Sequence, residues 1–143
     1  MRRITLFIVT IAMLMSCTGG AYKSTSDGVI VNVQNREENG PARVRLQIMS
    51  EGIVRVSQTP DRKFHDRNSL IILPDAQRET NFEVVDSEAS VGIKTSELYV
   101  TVNKTDGVVT FMDAKGNVIS KESEPTSFAP VSVTDTKGTT TGY

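Results

Sequence analysis

His65 is the only histidine of the chain and stands between Phe64 and Asp66. An imidazole beside a carboxylate is the pairing of a general base with the group that orients it. On an extended chain, however, adjacent side chains point to opposite faces, so neighbours in sequence do not make that pair. A hydrolytic triad also needs a presented nucleophile, and no G-x-S-x-G motif occurs. The favoured reading of His65 is a solvated loop residue. Asp61 and Asp66 offer two carboxylates for acid–base work, but charged loop residues of this kind read as solvated. One histidine among scattered acids has no metal-ligand spacing, and the dispersed glycines form no phosphate-cradling loop. No metal and no cofactor are therefore expected, and no residue is assigned a catalytic role. Arg43, Arg45 and Arg55 could form a positive strip facing an acidic surface. The plainer and favoured reading is an exposed sheet face, with Glu51 and Asp61 nearby to offset it.

The elements that must position these residues are strands. In the run ARVRLQIMS, Val44, Leu46 and Ile48 alternate with Arg43, Arg45 and Gln47. A two-residue period places the apolar set on one face and the charges on the other. Ser50-Glu51-Gly52 follows, and then Val54 and Val56 alternate with Arg55 and Ser57. Two such runs about a short turn predict a hairpin, with Gly52 expected to supply a left-handed conformation. A second unit, LYVTVNKTDGVVTFMDAKGNVIS, predicts a three-stranded antiparallel meander turning at Thr105-Asp106-Gly107 and at 113–117. Weaker strands are expected over 28–33, 82–85, 91–95 and 130–134. The stretch 58–77 breaks the alternation and is bounded by Pro60 and Pro74. It reads as a long loop around the short apolar piece 70–73. Long ordered loops often carry function, so a site is to be sought there. Short strands punctuated by turn residues predict an all-β fold, an antiparallel β-sandwich.

The opening residues have a different character. Arg2 and Arg3 precede an apolar run over 4–15, too short to cross a hydrocarbon core of about 30 Å as a helix. It fits the apolar region of a secretory signal. The run ends in Leu14-Met15-Ser16-Cys17, and Cys17 is the only cysteine. This ending resembles the lipobox of bacterial lipoproteins, in which the cysteine sulfur carries a diacylglyceryl group. The resemblance implies a signal peptide over 1–16, lipid attachment at Cys17 and a place in the cell envelope. It implies an outer-membrane lipoprotein, facing the periplasm or the cell surface. The following 17–26, small and polar, reads as a flexible tether, and 27–143 as the folded domain. With a formal net charge of −1 and no basic block, nucleic acid is not an expected partner.

Three stretches together resemble the N-terminal β-sandwich domain of glycoside hydrolase family 31, which contains α-glucosidases and α-xylosidases. They are DGVIVNVQ, VRLQIMSEGIVRVSQTPD and IKTSELYVTVNKTDGVVTFMDAKGNVISKE, in that order. The resemblance implies a supersandwich of the galactose-mutarotase type, here incomplete. It also implies a (β/α)₈ catalytic barrel as partner within a parent chain, and an oligosaccharide as that parent's substrate. The family's retaining mechanism uses two aspartates of the barrel. No residue of this sequence matches them, so the chain alone is expected to hydrolyse nothing. Truncation before the barrel is the expectation, with 128–134 a strand beginning and 135–142 a turn leading onward. A different class of function is a stand-alone sandwich lipoprotein that binds glycan or protein.

Overall fold

The alternation of Val44, Leu46 and Ile48 turns all three inward, where each is buried. The computed structural model of the protein describes residues 20–35, 37–65, 79–135 and 138–142. In chain order the strands are β1 (Tyr22–Thr25), β2 (Gly28–Asn32), β3 (Arg43–Ser50), β4 (Ile53–Thr59), β5 (Glu83–Asp86) and β6 (Ser90–Lys94). They continue as β7 (Leu98–Asn103), β8 (Val109–Asp113), β9 (Val118–Lys121), β10 (Val131–Asp135) and β11 (Gly138–Gly142). The described residues contain no helix. One antiparallel sheet has the order β1-β2-β3-β4 and a second the order β5-β6-β7-β8-β9, while β10 and β11 pair with each other.

Register decides which residues share a face. In the first sheet Val29 lies opposite Leu46 and Val31 opposite Val44. Leu46 in turn faces Val56, and Ile48 faces Val54. In the second sheet Val91 pairs with Val102, and Ile93 with Val100. Val102 then pairs with Val109 and Val100 with Phe111. These two apolar faces meet in one core built from Val29, Val31, Val44, Leu46, Ile48, Val91, Ile93, Val100, Val102 and Val109. Full burial of each such side chain contributes about 1.5–3 kcal/mol before the cost of ordering it. The all-β sandwich expected from the alternation is thus the observed fold.

Polar groups fasten the layers at their rims. At one end the Thr95 hydroxyl donates to the Glu51 carbonyl at 2.6 Å, joining the β6–β7 turn to the β3–β4 turn. At the other end Gln34 N donates to Lys104 O (2.8 Å) and Asn35 N to Thr105 O (2.9 Å). Lys104 is buried and its ammonium is paired with Asp86 at 2.6 Å. On the flank, Glu122 accepts from Gln58 Nε2 of β4 at 3.1 Å and from Val109 N of β8 at 2.9 Å. One carboxylate thereby holds both sheets.

Four expectations are corrected or extended. The tether expected over 17–26 includes residues 22–25, which form β1 and pair with β2. Its sequence, YKST, has no apolar alternation, but an edge strand needs one partner only. Tyr22 packs against the core, and Asp27 accepts from Thr25 Oγ1 (2.9 Å) and Gln47 Nε2 (2.7 Å) to fix the turn. The meander extends to five strands, because β5 and β6 add to the three expected. Residues 138–142 are a strand paired with β10, not a simple turn. Finally, Gly52 does not adopt a positive φ, although Gly107 does, at 80°. A β-bulge between Ile48 and Ser50 accommodates the first hairpin instead. The signal over 1–16, Cys17, Asp66, the apolar piece 70–73 and Pro74 lie outside the described residues.

Glycine matters most at Gly28, where a Cβ would lie 2.0 Å from the Leu46 carbonyl oxygen. At Gly52 the obstacle is only the tip of Glu97, at 2.5 Å, which can swing away. Gly28→Ala is therefore expected to lower unfolding free energy by about 2 kcal/mol, and Gly52→Ala by far less, as measured by urea denaturation.

The β8–β9 turn makes a second test. Asp113 accepts from Asn117 N (2.8 Å), Asn117 Nδ2 (2.8 Å) and Lys115 N (2.9 Å). These bonds, the Asn117 side chain foremost, hold its carboxyl below the ordinary 3.8. A depressed folded value means that the unfolded chain binds the proton first as pH falls. The stabilisation is complete above 3.8 and disappears as pH drops through the folded value. Compared by denaturation across that range, wild type should exceed Asp113→Asn above it, and the gap should close below it.

Candidate functional site

The polar face of the first hairpin is only partly open to solvent, because the chain folds back over it. Arg45 lies opposite Ser57 and Gln47 opposite Arg55, so the two arginines are diagonal neighbours on adjacent strands. Beyond β4 the chain turns at Pro60. Asp61 N donates to the buried Thr59 hydroxyl at 3.1 Å, while Thr59 O accepts from Ala42 N at 2.8 Å. This turn directs residues 61–65 back across the sheet. Phe64 then lies against Arg45, whose guanidinium carbon sits 4.5 Å from the ring centroid. Phe128 approaches from the far end of the chain, fixed by a 2.7 Å hydrogen bond from its N–H to Asn39 O. Between these elements is a cleft of about 430 Å³. Arg45, Arg55 and Ser57 form its floor, 58–61 one wall, and Phe64, His65 and Phe128 the rest.

The structure brings together residues that the sequence left separate. Arg45, Arg55, Asp61 and His65 share the cleft, whereas Arg43 is not among its lining residues. His65 faces Asp61, four residues earlier, with Nε2 3.6 Å from Oδ2. Both are solvated, the side chains being 80% and 55% exposed. At that exposure the pair adds little to stability. Of the two acids expected to offset the arginine strip, Asp61 lines the same cleft as Arg45 and Arg55. Glu51 accepts from the Ser96 hydroxyl, and Asp61 turns to His65.

Phe64 and Phe128 are the lining residues that sequence reasoning missed. Phe64 carried a signal, being an apolar residue inside a charged loop. Phe128 carried none, since no local pattern links it to β3. Chemically the cleft can hold a ligand, with cations, hydroxyls and two aromatic rings. Asp61 is the one carboxylate among its described lining residues, whereas retaining glycosyl transfer uses a pair. No group of three or more potential ligands among the described residues could hold a metal ion.

No protein-family model matches the chain. Among solved structures, it is similar to the crystal structure of the GH31 (glycoside hydrolase family 31) α-xylosidase from Xanthomonas citri. The TM-score is 0.65 with 29% sequence identity, over 83% of this chain and 12% of that chain. The chain thus spans a small fraction of the enzyme's length. The similarity supports a GH31-like fold and a domain related to those of glycoside hydrolases.

Two substitutions separate the solvated groups of the cleft from the packed ones. His65→Ala should change stability by less than about 0.5 kcal/mol. Phe64→Ala, which removes the ring against Arg45, should cost about 1 kcal/mol. Thermal denaturation monitored by circular dichroism measures both.

Proposed function

We propose that this chain is the N-terminal, non-catalytic module of a lipid-anchored retaining α-glycosidase of the α-xylosidase or α-glucosidase type, acting in carbohydrate metabolism. The similarity to 12% of a GH31 α-xylosidase, at 29% identity, is the observation that carries the reading. In it the sandwich braces a (β/α)₈ barrel and helps to shape the sugar site. The barrel belongs to polypeptide beyond these 143 residues. Retaining hydrolysis needs two carboxyls about 5–5.5 Å apart. Carboxylates of the sandwich are engaged otherwise: Asp27, Asp113 and Glu122 accept structural hydrogen bonds, and Asp86 pairs with Lys104. Val118 and Ile119 on the edge strand β9 are each 62% exposed, and Val131 and Val133 on β10 are 56% and 60% exposed. Such apolar surface suits packing against further protein.

The same reading places the module at the outer membrane, held through a thioether at Cys17. Two or more acyl chains on one cysteine give stable anchoring, each buried CH₂ contributing about 0.8 kcal/mol.

The reading frame downstream of Tyr143 in the source genome tests the assignment. A barrel with paired catalytic carboxylates, in frame or separated by a frame break, is the expected finding; an unrelated gene there would overturn the reading. The isolated chain should release no sugar from α-xylosides or α-glucosides. For the anchor, cells fed radiolabelled palmitate should label the wild-type chain in the membrane fraction and leave Cys17→Ser unlabelled.

A further inference from the structure

We propose that the cleft over β3 and β4 binds an acidic saccharide unit, with its carboxylate on Arg55 and the apolar face of its ring against Phe128. The argument starts from charge. Of the two guanidinium groups on the floor, Arg45 is held against Phe64. Arg55 is half-buried, and no ion pair joins it to a carboxylate among the described residues. Asp61, the one acid among the described lining residues, faces His65. Two further acids lie near: Glu122 accepts from Gln58 Nε2 and Val109 N, and Asp27 is bonded to Gln47, the residue opposite Arg55. The two oxygens of Asp27 already accept from Thr25 and Gln47. Arg62 and Lys63, exposed on the overlying loop, raise the positive field further. A guanidinium fork in such a place is matched by a planar carboxylate, which takes two parallel hydrogen bonds.

The rest of the cleft selects for more than a bare anion. Phe64 and Phe128 line the cleft, as does Ser57, which lies opposite Arg45 in the sheet. The Arg55 guanidinium, the Ser57 hydroxyl and the two phenylalanines match a ligand with one carboxylate, several hydroxyls and an apolar ring face, which describes a uronic acid unit. The volume of about 430 Å³ falls at the small end of ligand clefts, roughly 300–1,000 Å³. It suits one or two sugar rings. The anionic half of the proposal stands on the cleft alone, whereas the choice of a saccharide rests on the glycoside-hydrolase reading above.

Titration of the full chain, followed by backbone amide NMR, tests the proposal with four probes: glucuronate, glucose, acetate and inorganic phosphate. Glucuronate should shift the amides of Ser57 and Phe128 and bind about tenfold or more tightly than the other three. Arg55→Gln should reduce glucuronate to the affinity of glucose with an unchanged circular-dichroism spectrum, and Arg55→Lys should retain part of the preference. Equal binding of glucuronate and glucose would overturn the proposal. Acetate or phosphate binding as tightly as glucuronate would overturn its saccharide half. Unaltered binding by Arg55→Gln would overturn the role of that residue. A failed titration alongside a downstream barrel would remove only the cleft proposal, because the genomic test of the module is independent of it.

Discussion

Two sheets with valine-rich faces must lie against each other, because neither can leave that face in water. Everything else in the molecule depends on that contact. The core is made almost entirely of Val, Ile and Leu from the inward positions of β2, β3, β6, β7 and β8. β-Branched side chains are stiff and fit a pleated surface, so the layers pack with little loss of rotamer freedom. With this contact made, the outward faces are free to carry charge, and the first hairpin carries its arginines there.

Apolar contact does not by itself fix how two sheets sit relative to one another. Polar clasps supply that directionality. Thr95 with Glu51, Gln34 and Asn35 with the Lys104 turn, and Glu122 with Gln58 and Val109 tie the layers at three places. Glu122 joins β4 to β8. It leads from β9 into the segment that carries Phe128 to the cleft, so the element that fastens the two sheets also starts the cleft's far wall. Stability and site geometry therefore share a residue that has no place in the chemistry of the site.

The cleft itself is a by-product of folding an irregular segment over a regular face. A strand pair alone would present Arg45 and Arg55 to bulk solvent, where their charge would be hydrated and screened. The turn after Thr59 lays Phe64 over one of them and leaves the other in a walled space. Enclosure strengthens the interaction of a guanidinium with any anion that enters, since less water competes for it. Similarity to part of a sugar-cleaving enzyme and a cleft with one carboxylate among its described lining residues are compatible, because binding and bond breaking need different groups.

The strands of the two main sheets were readable wherever hydrophobicity alternates, as in 43–50, 53–59 and 98–103, since a half-buried strand must show a two-residue period. The loop expected over 58–77 begins later, since 58–59 end β4, and its described part, 60–65, was readable from Pro60 and the broken period. Residues 22–25 escaped because an edge strand takes its hydrogen bonds from a neighbour rather than from its own pattern, and Gly52 was given a left-handed turn that a bulge made unnecessary. The sequence by itself determined an all-β chain with inward valines and outward arginines. Only the tertiary structure decided that His65 faces Asp61, that Phe128 joins Phe64 in lining the cleft with Arg45, and that Arg55 lacks a carboxylate partner among the described residues. Those are contacts between segments far apart or differently turned, and local periodicity carries no information about which distant segments meet.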